Sequence, residues 1–143
     1  MKKEMSFITI AFITTILISG CTAGIVGRIP QVHDNFATVY LARKSGQIGC
    51  NNAFLIKLNG EDFIRIECGM KSQFKIPAGE KIKISSASSA IPDVFFLKPA
   101  KGQDFYFGMD CNVGACWFDE VSREEYDRIA ETCSKELVIE QGK

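Results

Sequence analysis

Residues 53–68 read AFLIKLNGEDFIRIEC. Ala53 to Leu58 is rich in aliphatic and aromatic residues and reads as a strand. Asn59-Gly60 is a hairpin signal, because both residues tolerate positive φ. Asp62 to Cys68 is the return strand. Phe63, Arg65 and Glu67 alternate there with Ile64, Ile66 and Cys68, so Ile64 and Ile66 face the core. A three-residue loop at Leu58-Asn59-Gly60 sets Lys57 against Glu61. That register carries Cys50 opposite Cys68 and predicts a cross-strand disulfide.

The same period-two pattern extends on both sides. Upstream, Ala37 to Arg43 (ATVYLAR) is a strand that leads through Lys44-Ser45-Gly46-Gln47 to the hairpin. Downstream, Ser72 to Ile76 is a short strand ended by Pro77-Ala78-Gly79-Glu80. Lys81 to Ser85 then alternates, with lysines toward water and isoleucines toward the core. Ser85 to Ala90 reads as a soft linker or an edge. Asp93 to Lys98 contains Val94-Phe95-Phe96-Leu97, which reads as a strand buried on both sides. Asp104 to Met109 is another strand, and Cys116-Trp117-Phe118 is its pairing partner.

After Phe118 the pattern changes. Ser122-Arg123-Glu124-Glu125 is a capping box, in which Ser122 accepts from the Glu125 amide while Glu125 reaches back. Tyr126, Ile129, Ala130 and Cys133 recur at helical spacing, which predicts one helix over 123–135. Residues 119–140 hold eight acids and three bases, whereas residues 21–118 hold eight acids and eleven bases. The helix is therefore either an ordinary solvated face or an acidic docking surface.

The N-terminus is an address. Lys2 and Lys3 form a basic region, and the apolar run 7–18 follows. Twelve helical residues span about 18 Å, short of the roughly 30 Å hydrocarbon core, so the run reads as the apolar part of a signal peptide. Ile18-Ser19-Gly20-Cys21 resembles the bacterial lipobox. That resemblance implies diacylglycerol on the Cys21 thiol, cleavage before Cys21 and an acyl chain on the new amine. Such chains contribute about 0.8 kcal/mol per buried methylene. The implied organisation is a signal peptide at 1–20, a lipidated tether at 21–35 and a folded domain at 36–143. Thr22, in place of an aspartate, favours the outer membrane over the inner one. Ile25, Val26 and Ile29 are the tether residues with the means to touch the fold.

The order from Ala37 to Ile84 resembles small bacterial lipoproteins carrying domain of unknown function 2846. It is also similar to PEGA-like and carboxypeptidase-regulatory-like β-sandwiches. The carriers of that resemblance are ATVYLAR, the Leu58-Asn59-Gly60 hairpin and Pro77-Ala78-Gly79-Glu80-Lys81. They imply a scaffold and no catalytic residues. The predicted fold is thus mainly β: a small antiparallel β-sandwich with one C-terminal α-helix, preceded by a lipoprotein signal peptide.

Composition narrows the function. The chain has 143 residues, 46% of them hydrophobic, and 17 basic residues balance 17 acidic ones. Nucleic-acid binders carry a basic excess, and no phosphate-cradling glycine motif occurs, so neither nucleic acid nor nucleotide is an expected partner. Five cysteines follow Cys21. Cys50 pairs with Cys68 in the register above. Cys111 and Cys116 can close a hairpin tip at Gly114, or Cys133 can join the helix to either of them. One cysteine of the five must stay single, and Cys133 on the helix face would act as a small apolar side chain. Zinc normally takes two pairs at short spacing; C-x₄-C occurs once, and the single histidine, His33, lies in the tether. No C-x-x-C occurs, so no metal or cofactor is expected beyond the acyl chains on Cys21.

Two further sets carry chemistry. Phe95, Phe96, Phe105, Tyr106, Phe107, Trp117 and Phe118 form an aromatic set whose inward half is core. Its outward half is a candidate stripe for a partner, a small ligand or a glycan. Glu120, Glu124 and Glu125 are a candidate carboxylate cluster for an envelope hydrolase. The reading that absorbs most features is a non-catalytic binding or assembly module, anchored by lipid at the periplasmic face of the outer membrane. It meets a protein partner through an edge strand or the acidic helix.

Overall fold

A computed structural model describes residues 24–46, 48, 50–87, 93–113 and 116–141. The signal peptide, Cys21 and Gly114 lie outside these described residues. The elements run β1 (Gly24–Ile25), β2 (Phe36–Arg43), β3 (Phe54–Leu58), β4 (Glu61–Ile66), β5 (Met70–Pro77), β6 (Ile82–Ser86), β7 (Val94–Leu97), β8 (Asp104–Cys111), β9 (Cys116–Glu120), α1 (Arg123–Glu131) and β10 (Lys135–Val138). Two five-stranded sheets form, ordered β1-β4-β3-β6-β7 and β10-β5-β2-β8-β9. They pack as a β-sandwich with one helix, as the alternation predicted.

The chain changes sheets repeatedly, passing from β2 to the β3–β4 hairpin, back to β5, across to β6 and β7, and back to β8. A strand arriving by crossover is free of the antiparallel rule that a hairpin imposes. The first sheet is antiparallel throughout. The second is mixed, since β2 runs parallel to β8 and β10 parallel to β5. The wholly antiparallel expectation is corrected to that extent.

Period-two patterning sends one side chain set inward from each sheet. Val39, Leu41, Phe54, Ile56, Ile64, Ile66, Phe74, Ile84, Phe107 and Phe118 are all essentially inaccessible and form one continuous core. Among the described residues, no buried side-chain nitrogen or oxygen lacks a partner. The buried polar side chains described are thus satisfied.

The hairpin differs from its predicted register. Leu58 pairs with Glu61, with Asn59 (φ 51°) and Gly60 (φ 87°) both left-handed, so the turn has two residues. A bulge follows between Ile56 and Lys57, and Ile56 then faces Ile64. The bulge also turns Phe63 inward beside Ile64, so two consecutive residues are buried. β7 is corrected too. It is an edge strand, with Val94 39% and Phe96 63% exposed, rather than a strand buried on both sides.

The helix starts where the cap predicts and ends earlier. The Ser122 hydroxyl accepts from the Glu125 amide at 3.1 Å, but the Glu125 carboxylate pairs with Arg128 instead of reaching back. Thr132 ends the helix by donating its hydroxyl to the Ile129 carbonyl at 2.7 Å. Cys133 and Ser134 follow as irregular chain, and Lys135–Val138 then extends along β5, so the predicted last turn does not form. Tyr126 and Ile129 lie on the outer surface of the second sheet, among Tyr40, Tyr106, Trp117 and Val121. Gly108 permits that approach, because a Cβ there would sit 2.7 Å from Ile129 Cδ1.

Candidate functional site

The two sheets meet along one side of the sandwich at β7 and β9, and a single residue treats their edges differently. Asp93 uses its carbonyl to accept from the Ser86 amide at 3.1 Å, which starts the β6–β7 ladder. Its carboxylate accepts from the Phe118 amide at 3.1 Å. That amide lies on the edge of β9, so the carboxylate occupies a backbone donor that another strand would need. Asp119 and Glu120 add two exposed negative charges to the same short strand.

β7 has no such guard among the described residues. Ser86 and Asp93 form a bonded pair, so Phe95 and Leu97 direct their backbone polar groups toward β6. The backbone groups of Val94 and Phe96 point the other way, along the open edge. Phe95 holds the strand down, with its ring 5.3 Å from Phe107 and 5.6 Å from Phe118. Phe96 stands on the outer surface, with Lys81 Nζ 4.8 Å from the ring centre. The edge therefore offers backbone hydrogen bonds, an exposed aromatic ring and a nearby positive charge. Of the outward half of the aromatic set, Phe96 alone is strongly exposed. Tyr106 and Trp117 are covered by α1, and Tyr106 stacks on Tyr40 at 5.0 Å.

The described cysteines gather around Arg43, at the end of β2. Cys50 is bonded to Cys68 with a Cα separation of 5.3 Å, and Cys111 to Cys116 with 4.0 Å. Both candidate pairs thus form, but the first has a different cause from the one predicted. Beyond the bulge, the β3–β4 register continued from Phe54–Ile66 would set Cys68 against Asn52. Cys50 reaches Cys68 from the irregular segment before β3. Cys111 and Cys116 do face each other in the β8–β9 ladder.

The Arg43 side chain is 1% exposed. Its Nη1 donates to the carbonyls of Asn52 at 2.6 Å and Ile66 at 3.0 Å, and the guanidinium lies 4.6 Å from the Phe54 ring centre. Burial pulls its pKa down, against the attraction of Asp110 and Glu67. Cys133 carries the free thiol among the described residues. Its Sγ donates to the Arg43 carbonyl at 3.3 Å, and burial pushes its pKa up. A thiol so placed is a packing group rather than an activated nucleophile. Sequence reasoning missed Arg43; its one signal was a charge placed at the end of an otherwise apolar strand.

The carboxylate cluster is dispersed. Asp119, Glu120 and Glu124 are exposed, and Glu125 is paired with Arg128. Glu125 shares a shallow depression with Asp110, which Lys44 holds at 3.6 Å. His33 and Asp34 are both exposed. Among the described residues, no group of three His, Cys, Asp or Glu can hold a metal, and no helix is long and apolar enough to cross a membrane. Compared with protein-family models, curated proteins and solved structures, the chain gives no match.

Proposed function

We propose that this chain is a lipid-anchored cell-envelope module of binding or assembly type, acylated on Cys21 at the periplasmic face of the outer membrane. It takes an extended segment of a protein partner onto the open edge of β7. The observation that carries this reading is the inequality of the two adjoining edges. Asp93 spends its carboxylate on β9, while β7 keeps an exposed Phe96 and pairs on one side only among the described residues. Added strands gain affinity from main-chain hydrogen bonds and selectivity from alternate side chains. Phe96 and Val94 are the alternate positions here.

The test is in-cell photocrosslinking from position 96 of full-length protein at native expression, with purification and mass spectrometry. The expected result is one stoichiometric envelope protein, absent when the crosslinker stands at Glu131 on the helix and lost in Cys21→Ala. A membrane-bound protein that gives no reproducible adduct from position 96 would overturn the edge-pairing role.

A further inference from the structure

The chain between the proposed anchor and the domain is short. Cys21 precedes Gly24 by three residues, which reach about 10 Å when fully extended. From Gly24 onward the supposed tether is docked. Gly24 pairs with Arg65 and Ile25 with Ile64. The amides of Val26 and Gly27 both donate to the Phe63 carbonyl, at 2.9 and 3.1 Å. Gly27 lies so close to β4 that a Cβ would fall 1.6 Å from the Asp62 carbonyl oxygen. Farther along, Val32 is 7% exposed and the Gln141 side-chain amide donates to the Pro30 carbonyl at 3.1 Å.

This β1 edge carries its own surface. Ile25 is 40% and Val26 44% exposed, although they sit in a segment hydrogen-bonded to β4. Arg65 is exposed at the Gly24 end, and Arg28 continues the edge. Asp62, the acid nearest Gly27, is held by Lys57 at 3.0 Å. Glu61 shares a shallow depression with Arg28, so the basic character is concentrated at the Arg65 end, where the chain leaves toward Cys21.

We infer that the β1 edge rests on the bilayer, with Ile25 and Val26 at the boundary between headgroups and acyl chains and Arg65 against the phosphates of anionic phospholipid. The inference rests on the proposed acylation of Cys21. It follows from reach, since an anchored Cys21 leaves Gly24 nowhere to go but the membrane surface. It also sets the orientation of the domain. Four strand spacings of about 4.8 Å separate β1 from β7 in the first sheet, so the open edge stands about 19 Å farther from the bilayer.

The test uses full-length acylated protein in vesicles of phosphatidylcholine with phosphatidylglycerol. Trp117, the one tryptophan, is replaced by Phe. Tryptophan is then introduced as Val26→Trp or as Phe96→Trp, and quenching by brominated acyl chains is measured. Val26→Trp is expected to be quenched several-fold more than Phe96→Trp, and Ile25→Trp repeats the reading from the neighbouring position. Arg65→Glu is expected to weaken that quenching in anionic vesicles and to leave it unchanged in pure phosphatidylcholine. Equal quenching at positions 26 and 96, in protein that floats with the vesicles and carries acyl mass on Cys21, would overturn the membrane-edge orientation alone. Protein without acyl mass that fails to float would overturn the anchor, and the orientation with it.

Discussion

The two sheets have the same number of strands and share one core, yet they are finished differently. The outer surface of the second sheet is covered by α1, whose Tyr126 and Ile129 sit on Tyr40, Tyr106 and Trp117. One outward amide of its β9 edge, that of Phe118, is taken by the Asp93 carboxylate. The outer surface of the first sheet carries Lys57, Lys83, Val94 and Phe96, and no helix covers it among the described residues. Apolar surface that is covered contributes to folding, and apolar surface that is left bare contributes to it little. Both sheets thus contribute to the shared core, and they differ in that the second is covered on its outer surface and the first is not, among the described residues.

The largest expected effect comes where both sheets are tied together. Arg43 belongs to the second sheet but donates to Ile66 in the first. Arg43→Met keeps the volume roughly constant, strands the buried Ile66 carbonyl and removes the donor to the partly buried Asn52 carbonyl. It should cost about 3 kcal/mol or more in denaturant unfolding. A loss under 1 kcal/mol would show that the sheets are held by apolar packing alone. The disulfides come next, because each closes one sheet's hairpin. Replacing Cys50 and Cys68 with Ser should cost about 3 kcal/mol, and the shorter Cys111–Cys116 loop about 2 kcal/mol, in the chain-entropy view. Equal losses from the two would mean that loop length does not govern them.

Alkaline pH separates the sheets further. Burial, then Cys133 and Asp127, push the Tyr126 hydroxyl up to about 12. An unfolded tyrosine ionises near 10 while the folded one stays protonated, so stability is full below pH 10 and falls as pH rises toward 12. The loss attributable to Tyr126 is about 2–3 kcal/mol. Tyr126→Phe should flatten that part of the profile in unfolding measured across pH 9–12. An unchanged slope would place the sensitivity elsewhere than under the helix. The smallest effect on stability belongs to the bare face. Phe96→Ser should shift unfolding by about 0.5 kcal/mol or less while abolishing a crosslink made from a photocrosslinker at position 94 of the same strand. A shift above 1 kcal/mol would make Phe96 part of the fold and weaken the division between the sheets.

Much of this was legible in the chain. Strand positions followed from alternation, because a sheet with one buried face repeats every two residues. Asn59-Gly60 marked its turn because few other pairs tolerate two left-handed residues. Ser122 marked the helix start because its hydroxyl satisfies an orphan amide. The bulge at Ile56/Lys57 was not legible, since it arises from accommodating Phe63 in the core. Nor was β10. Its four residues carry no strand signal of their own and extend because β5 presents a free edge.

The sequence by itself determined that the chain would fold as two β layers with one helix, that Asn59-Gly60 would turn a hairpin, and that Ser122 would start the helix. These depend on neighbours within a few turns or one hairpin. Tertiary structure alone decided that β7 is an edge, that Asp93 takes the Phe118 amide of β9, that Arg43 ties the two sheets, and that the segment from Gly24 pairs with β4. Each of those depends on which strand arrives beside which after a crossover. A residue's own sequence neighbourhood holds no information about the backbone that will pair with it from the other half of the chain.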